Sequence, residues 1–511
     1  MIWIALHLPL LSLESFAATL PPELRQMPLA LVEARQISQA NAGAVALGVK
    51  PGCKRATALG LAPHLVTAAA DLRRDAQALQ AVVHACLAFT PAVTALPPRQ
   101  VLLEVQASLR YFGGRMPLLQ RLRAALTPLG HELQWASAPT AHGAALLSRM
   151  AGATGGLHCS DLHSLRRMLD AAPVWLLGPG REHCEALQGM GLRTIADLRG
   201  LPRAGLARRF GEALLDELDR ALGKRPDPRV WASLAPTFES RLELFARADT
   251  GAQVLHGAAV LLARLAAWLA AQQAFVRRFT LQLQHEARRR REDSPSDTAI
   301  EITLASPSRD VDHLLLLLRE RLGRTQLVAP ALELSLRSDD IVRAPPPNGE
   351  LFPTAQGERE GLTRLIERLQ ARLGRHQVHR PVRLQDHRPE RSSGLHEVDA
   401  GAWHTVPGRA TAKGPGLPRH SQGSLITRPV WLVEPPQPLP EQRDQPLLHG
   451  APLQLLSGPE RIEAGWWDEG LAGRDYFIAQ AADASLVWVY RLRLPELAQT
   501  APGWYLHGRF G

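Results

Sequence analysis

The amino-acid sequence predicts an α+β protein built from several domains, with a β-rich unit at its C-terminal end. Its 511 residues correspond to about three or four domains of ordinary size. Hydrophobic residues make up 45% and charged residues 21% of the chain, which supplies several cores and excludes a largely disordered protein. Residues 1–170 alternate strand-like with helical runs, and residues 237–338 show the order β-α-β-β-α-β.

The net charge and the spacing of the cysteines indicate which partners the protein binds and in which cellular compartment it lies. Lysine and arginine number 59 against 49 acidic residues, a net charge of +10 that favours a polyanionic partner, nucleic acid before a membrane surface. The four cysteines are far apart and form no CxxC pair, so they predict neither a disulfide framework nor a zinc ribbon. We therefore expect a cytoplasmic protein with no metal site and no cofactor.

Two apolar stretches raise the question of a membrane. Residues 1–18 lack the basic start of a signal peptide and are interrupted by polar residues and proline, which favours a buried first strand. Val254–Ala271 contains a histidine and an arginine and is barely long enough to cross a bilayer, so it predicts a core helix.

Residues 1–172 are expected to form one mixed domain, because apolar strand patterns and Ala/Leu-rich helical patterns interleave there. The predicted strands are Ile2–Leu8, Leu29–Ala34, Val101–Gln106 and Glu132–Ala138, and the predicted helices are Leu72–Leu87, Pro117–Leu126 and Ala141–Ala151.

Residues 173–235 consist of short helical pieces separated by glycines, a pattern that predicts helix-hairpin-helix turns. Two turns, at residues 178–180 and 201–205, each precede a helix-forming run, and free backbone N–H groups at helix starts can hold a phosphate. Arginines cluster beside both turns, so we expect a clamp on the DNA backbone; a small helical linker domain is the alternative. The residues expected to contact DNA are Gly178, Gly180, Arg181, Arg203 and Gly205.

Residues 236–343 predict a sheet with helices on one face only. The expected elements are a strand at Glu239–Phe245, a helix at Ala252–Gln273, strands around Phe279–Leu283 and Ile300–Leu304, a helix at Asp310–Leu322 and a strand around Leu332–Leu336. Arg277 and Arg278 lie on these strands and are expected to bind DNA. The Arg288–Arg291 run lies near these strands and either adds to their basic surface or is a solvated loop.

The rest of the chain changes composition twice. Residues 344–375 predict a Pro-rich linker and a helix at Gly361–Leu373 with leucines along one face. Residues 376–450 are rich in Pro, His, Arg and Gly and are expected to be largely irregular, with histidines too scattered for a metal site. Residues 451–511 predict a small antiparallel unit around several tryptophans.

Four sequence motifs follow one another in residues 1–340. They are Gly48–Lys54 with Ala58–Leu65, Leu102–Val105, Ala138-Pro139, and Val174–Gly178 with Met190–Leu198. With these motifs in this order, residues 1–340 resemble the Y-family (DinB/UmuC-type) translesion DNA polymerases. The resemblance implies a palm and fingers in residues 1–172, a thumb in residues 173–235 and a little finger in residues 236–343.

That family holds two Mg²⁺ ions with a carboxylate on the first strand and an Asp-Glu pair before a second palm strand. In this sequence the corresponding positions are His7 or Pro9, and Arg99 with Gln100. Two lysines that the family carries after its Ala-Pro correspond here to Ala141 and Ala145. The resemblance therefore implies a polymerase fold without catalytic residues, that is, a protein that is not an enzyme.

Because it lacks these acids and has a long C-terminal extension, the sequence resembles ImuB-type proteins. These are the catalytically inactive polymerase-like subunits of a bacterial mutagenesis cassette. The run Ser457–Trp467, followed by Arg474–Phe477, is similar to that family's tail. The resemblance implies an adaptor in error-prone translesion synthesis and SOS mutagenesis. Its partners would be damaged primer-template DNA, the β sliding clamp, the RecA-like protein ImuA and the error-prone replicative-type polymerase ImuC.

A clamp-binding peptide usually reads Gln-Leu-x-Leu-Phe and ends in two apolar anchors. Residues 348–352 keep the Leu-Phe end after a Pro-rich linker, so we predict clamp contacts at Asn348, Glu350, Leu351 and Phe352. The alternative is a linker that packs back on its domain, and Gln445–Leu448 and Gln454–Leu456 are weaker rivals.

Two other functions stay open. An active Y-family polymerase would need other carboxylates, such as Glu14, Glu33 or Glu104, and nothing in the sequence places these three together. A nucleic-acid-binding module unrelated to replication would account for the charge and the hairpin turns alone.

Overall fold

The computed structural model describes residues 1–152, 156–286, 296–343, 355–398, 428–468, 470–493 and 503–510. They form two compact units, Met1–Arg372 and Leu373–Gly511. The predicted α+β class with a β-rich C-terminal region is confirmed. All the polymerase-like segments lie in the first unit, so the expected three or four domains group into two compact bodies.

The palm and the fingers occupy residues 1–170. Their elements are β1 (Trp3–His7), α1 (Leu11–Ala17), α2 (Pro22–Arg25), β2 (Leu29–Glu33), β3 (Gln36–Ala40), α3 (Ala42–Ala46), α4 (Arg55–Leu61), β4 (Val66–Ala69), α5 (Leu72–Leu87), β5 (Val93–Leu96), β6 (Gln100–Glu104), α6 (Leu109–Phe112), α7 (Arg115–Leu126), β7 (Gln134–Ala138), α8 (Ala141–Ser148), β8 (Leu157–His158) and α9 (Leu162–Asp170).

The palm is a five-stranded sheet in the order β5-β6-β1-β7-β8, with β1 at its centre. Ile4 and Leu6 pack with α5 and α7 on one face, while Trp3 and Ala5 pack with α8 on the other. Burial on both faces explains why β1 is a continuous apolar run. The fingers are a smaller sheet in the order β3-β2-β4, in which β2 is antiparallel to β3 and parallel to β4.

The thumb is entirely helical among the residues described. Its helices are α10 (Gly178–Glu182), α11 (Cys184–Gly189), α12 (Ile195–Arg199), α13 (Arg203–Phe210) and α14 (Glu212–Ala221). Leu187, Ile195 and Leu206 are buried in the same core as α8, so the thumb packs directly on the palm.

The little finger is a four-stranded sheet with two long helices. Its elements are β9 (Phe238–Ala248), α15 (Gly251–Gln272), β10 (Ala274–His285), β11 (Asp297–Ser308), α16 (Val311–Leu322) and β12 (Ala331–Arg343). The strand order is β11-β10-β12-β9 and every neighbouring pair is antiparallel. Each helix therefore connects two parallel strands that have one other strand between them, the split βαβ arrangement expected from the sequence.

Helix α15 is long and apolar enough to cross a membrane. Val254, Leu261, Leu265 and Trp268 are nevertheless buried against the little-finger sheet. The helix thus forms part of a protein core, as the polar residues within it indicated.

The predicted helix at Gly361–Leu373 is present as α17 (Ala355–Leu373), which begins six residues earlier than expected. Glu367 is buried, accepts a hydrogen bond from His313 at 2.9 Å and accepts another from the Ala305 backbone N–H at 2.6 Å. The leucines that share one face, Leu362, Leu365, Leu369 and Leu373, are exposed, whereas Ile366 beside them is buried. The side of the helix that contains Ile366 and Glu367 therefore packs on the little finger.

The second unit is mainly β-structure. Its strands are β13 (His379–Arg383), β14 (Ser393–Glu397), β15 (Trp431–Leu439), β16 (Glu441–Gln442), β17 (Gln445–Leu448), β18 (Ala451–Pro452), β19 (Gln454–Ala464), β20 (Ala472–Gln480), β21 (Leu486–Leu492) and β22 (Trp504–Arg509). The main sheet has the order β15-β22-β21-β20-β19.

The described part of residues 376–450 contains β13 to β17, so its interpretation as largely irregular differs from the structure. The sheet begins at Trp431, before the expected boundary at residue 451. Strand β15 includes Pro435, Pro436 and Pro438 and pairs only with β22 at the sheet edge. Proline is tolerated there because an edge strand has backbone groups that need no partner.

Buried neutral histidines predict that acid destabilises the first unit. Burial lowers the pKa of His84 in α5 to about 4, against 6.5 for the free side chain. The stability from the neutral imidazole is complete above pH 6.5 and is lost as the pH falls towards 4, which amounts to roughly 2 kcal/mol at pH 5. We expect His84→Gln to reduce the difference in unfolding free energy between pH 7.5 and pH 5, measured with urea. The exposed His64 supplies the control His64→Gln, which should leave that difference unchanged; equal effects of the two variants would contradict the prediction.

Candidate functional site

The four residues at the positions of the polymerase family's metal-binding carboxylates lie together at one edge of the palm sheet. His7, the last residue of β1, is paired in register with Gln100, the first residue of β6. The Leu8 backbone N–H donates to the Arg99 carbonyl oxygen at 2.9 Å, and Arg99 Nη1 donates to the Pro9 carbonyl oxygen at 3.3 Å. The positions that the resemblance assigns to one site are therefore adjacent in the structure.

The side-chain amide of Gln100 has a structural role. Its Nε2 donates to the Ala145 carbonyl oxygen at 2.8 Å and to Ser148 Oγ at 2.9 Å, and the side chain is buried. Ala141 and Ala145 are buried on α8. Hydrogen bonds between β6 and α8 thus occupy the place where the polymerase family has a charged pair.

The electrostatic environment at this edge is positive. Burial, together with the charges of Arg149 and Arg99, lowers the pKa of His7 to about 4, so the imidazole is neutral at physiological pH. His7 Nδ1 and Arg99 Nε are buried without hydrogen-bond partners in the part of the chain that the structure describes. A divalent cation here would meet an arginine and a neutral ring instead of carboxylates. Within the described ranges there is no group of three His, Cys, Asp or Glu side chains arranged to hold a metal.

Two further arginines join this site, and sequence reasoning did not identify the first of them. Arg149 follows α8, and its Nη1 donates to the Leu176 carbonyl oxygen at 2.7 Å. The guanidinium carbon of Arg149 lies 6.0 Å from the centre of the Trp175 ring, and that of Arg181 lies 5.9 Å from the same ring. Only the packing of the thumb on the palm brings these residues together, so no local sequence pattern marks them.

The alternative carboxylates do not form a site. Glu14 accepts hydrogen bonds from the Glu132 backbone N–H at 2.9 Å and lies 3.2 Å from His131 Nδ1. Glu104 pairs in register with Trp3, at the opposite end of β1 from His7, and Glu33 ends a strand of the separate fingers sheet.

The thumb glycines differ from the expectation of free N–H donors. The Gly178 backbone N–H donates to Glu217 Oε2 at 2.8 Å and is therefore already occupied. Gly180 is buried, and a Cβ atom there would lie 2.3 Å from the Val174 carbonyl oxygen, so this glycine is needed for close packing. Gly205 is exposed in the first turn of α13.

Of the two predicted thumb arginines, Arg181 stays free of ion pairs within the described residues, whereas Arg203 pairs with Asp219. A third glycine turn, residues 189–191, directly connects α11 and α12 and is exposed. Gly191 has a φ of +82°, a conformation that favours glycine. The Gly-x-Gly spacing of residues 189–191 is the sequence signal for this turn. Because the turn is exposed, it fits a helix-hairpin-helix turn better than residues 178–180 do.

In the little finger, Arg277 and Arg278 are both exposed because a β-bulge lies between Val276 and Arg278. Arg278 is 3.9 Å from both Asp339 and Asp340, while Arg277 forms no ion pair in the described part of the chain. The exposed side of the strands also carries glutamates, at Glu239, Glu243, Glu301 and Glu333. The positive charge of this sheet is therefore concentrated at the bulge.

The predicted clamp contacts Asn348, Glu350, Leu351 and Phe352 lie outside the described residues, as does the Arg288–Arg291 run. Of the rival segments, Gln445–Leu448 is strand β17 with Leu448 buried, and Gln454–Leu456 begins strand β19. Leu455 and Leu456 are exposed, so this second rival is accessible.

The C-terminal unit presents two tryptophans at the turn between β19 and β20. Trp466 and Trp467 are 79% and 54% exposed and lie edge to face. Asp468 accepts hydrogen bonds from the buried Arg388 at 2.7 and 2.8 Å, which fixes the turn beside them. Tyr476, from the same tail motif, is buried and 2.8 Å from His507 Nδ1. The motif therefore contains both core residues and exposed aromatic residues.

The chain is similar to a protein family, to curated relatives and to solved structures. Residues 12–149 match the model of the IMS (impB/mucB/samB) family. Protein ImuB from two strains of Caulobacter vibrioides is 29% identical over 484 residues, covering 91% of this chain and 100% of the relative. Two solved structures, a Dbh ternary complex and DinB from Sulfolobus solfataricus, match 67% of this chain and 100% of theirs at 17% identity and a TM-score of 0.39. The chain is therefore similar to Protein ImuB over most of its length, and its residues 12–149 match the impB/mucB/samB family model.

Proposed function

We propose that this polymerase-like protein is a noncatalytic DNA-binding adaptor in error-prone translesion synthesis and SOS mutagenesis. It would link the sliding clamp, a RecA-like partner of the ImuA type and an error-prone polymerase of the ImuC type at damaged DNA in the cytoplasm. The observation that carries the proposal is the palm edge, where His7, Pro9, Arg99 and Gln100 lie together and provide no carboxylate.

The physical argument concerns the metal ions. Phosphoryl transfer by a palm of this kind needs two divalent cations between the nucleotide phosphates and the primer oxygen. A carboxylate offers such a cation a negatively charged oxygen, whereas Arg99 repels it and the buried Gln100 amide is engaged by Ala145 and Ser148. The Glu14, Glu33 and Glu104 side chains do not replace the missing ligands, because they lie apart from one another.

We predict that the purified protein incorporates no nucleotide above background in a primer-extension assay with Mg²⁺ or Mn²⁺. An Arg99→Ala variant serves as the control for contamination, since activity from a co-purifying polymerase would be the same in both preparations. Template-dependent extension that changes in the variant would show that this palm is catalytic and would overturn the adaptor proposal.

The exposed tryptophan pair supports a protein–protein role for the C-terminal unit. Exposed tryptophans are frequent hot spots in interfaces because they bury a large apolar area on binding. Trp466 and Trp467 are held on a fixed turn by the Arg388–Asp468 pair.

We expect Trp466→Ala with Trp467→Ala to weaken association with ImuA or ImuC by about tenfold or more, measured by pull-down and by surface plasmon resonance. Trp431→Ala is the matched control, because Trp431 is 69% exposed in the same unit but lies on β15. Unchanged binding of both partners by the double variant would exclude this turn from the interface.

A further inference from the structure

We propose that the arginine cluster formed by Arg99, Arg149 and Arg181 at the palm–thumb junction binds a phosphate group directly, without a metal ion. The proposal rests on the proposed function only in treating the palm as noncatalytic. It adds a ligand-binding role for the palm edge, where a catalytic polymerase would place its metal ions.

Three observations place the arginines near one another. His7 lies within the electrostatic influence of both Arg99 and Arg149. Gln100, paired with His7, donates to Ser148, the residue before Arg149. Arg149 and Arg181 lie over the same Trp175 ring, at 6.0 and 5.9 Å from its centre.

The positive charge of this cluster is not neutralised within the described residues. None of the three guanidinium groups forms an ion pair there. The nearest acidic influence on Arg149 comes from Glu217, which is itself engaged by the Gly178 backbone N–H at 2.8 Å and by His142 Nε2 at 2.9 Å. The donor Arg99 Nε is also buried without a hydrogen-bond partner in the described residues, as is the ring nitrogen His7 Nδ1.

Cations held together at a partly buried site repel each other, and an anion relieves that repulsion. Burial lowers the pKa of Arg149 and the neighbouring Arg181 lowers it further, as expected for a cation held close to another cation. Guanidinium groups present several N–H donors in a planar fork, a geometry that matches phosphate oxygens. Phosphate is therefore the ligand class that this cluster fits.

Two sources of phosphate fit the same chemistry: the backbone of DNA and the triphosphate of a free nucleotide. The test uses the full-length chain in EDTA, with ribose-labelled fluorescent dATP, inorganic tripolyphosphate as competitor and a labelled primer-template duplex. We expect binding to persist in EDTA, because arginines replace the metal as the positive charge. Binding that disappears in EDTA and returns with Mg²⁺ would overturn the proposal.

Arg181→Gln is the main variant, because the Arg181 side chain donates no hydrogen bond within the described residues and its loss should leave the fold intact. It should weaken binding of the phosphate-bearing ligand about tenfold, and Arg149→Lys should retain more binding than Arg149→Gln. The exposed Arg110 on α6 supplies the control Arg110→Gln, which should have no effect.

The two sources give different results, and both support the site. Weakened binding of labelled dATP with competition by tripolyphosphate identifies a nucleotide ligand. Weakened duplex binding without any dATP binding identifies the DNA backbone. Unchanged affinity for both probes in Arg181→Gln would overturn the proposal. Primer extension reports separately on the adaptor proposal, so the failure of one can be distinguished from the failure of the other.

Discussion

Leu351→Ala combined with Phe352→Ala is expected to abolish association with the sliding clamp and damage-induced mutagenesis. The two residues lie in the segment between β12, which ends at Arg343, and α17, which Glu367 anchors to the little finger. Burial of a leucine and a phenylalanine contributes roughly 1.5–3 kcal/mol each before the cost of ordering the peptide. A short peptide with no other large apolar side chain would therefore lose most of its affinity. Clamp pull-down and mutation frequency after DNA damage measure the effect.

The exposed Leu455 and Leu456 of β19 provide the matched control for that experiment. Leu455→Ala with Leu456→Ala removes two accessible apolar side chains from the rival Gln454–Leu456 segment, and we expect clamp binding to be retained. The reverse pattern, in which only this second variant loses the clamp, would move the motif to β19. DNA binding and the unfolding midpoint should be unchanged in both double variants; unfolding of the first would mean that Leu351 and Phe352 are core residues.

Local periodicity allowed much of the first unit to be predicted. Helix α5 spans Leu72–Leu87, the same bounds that the sequence pattern predicts, because its apolar residues recur at helical spacing and Asp71 caps its start. The strands of the little finger were predicted equally well, since apolar residues alternate along them. In both cases a single element carries enough of its own pattern to be recognised without its neighbours.

Features that depend on distant partners could not be predicted. Strand β15 has three prolines and exists because β22, far away in sequence, pairs with one of its edges. Glu367 of α17 is buried because His313 and the Ala305 backbone N–H, both far away in the sequence, form hydrogen bonds with its carboxylate. Arg149 meets Trp175 and Arg181 only because the thumb and palm share one core. The sequence positions of the missing carboxylates could be counted, but the positive surroundings that replace them required the three-dimensional structure.

Changing Arg277 and Arg278 together to alanine is expected to weaken DNA binding for all sequences and to flatten its salt dependence. Contacts of this kind are made with phosphates, and each one released removes up to about 0.9 from the slope of log K against log salt on duplex DNA. The structure indicates that Arg277 and Arg278 contribute unequally to this salt dependence. Arg277 has no ion pair in the part of the chain that is described, whereas Asp339 and Asp340 lie 3.9 Å from Arg278 and offset part of its charge.

Single substitutions should therefore separate the two residues, with Arg277→Ala reducing the slope more than Arg278→Ala does. Arg337 on β12 is the matched control, because it is exposed on the same sheet but pairs with Glu239 at 3.8 Å. Fluorescence anisotropy titrations at several salt concentrations measure all four slopes. An unchanged slope in the double variant would place DNA away from the bulge, whereas an equal loss with Arg337→Ala would mean that the whole sheet face, and not the bulge, contacts the phosphates.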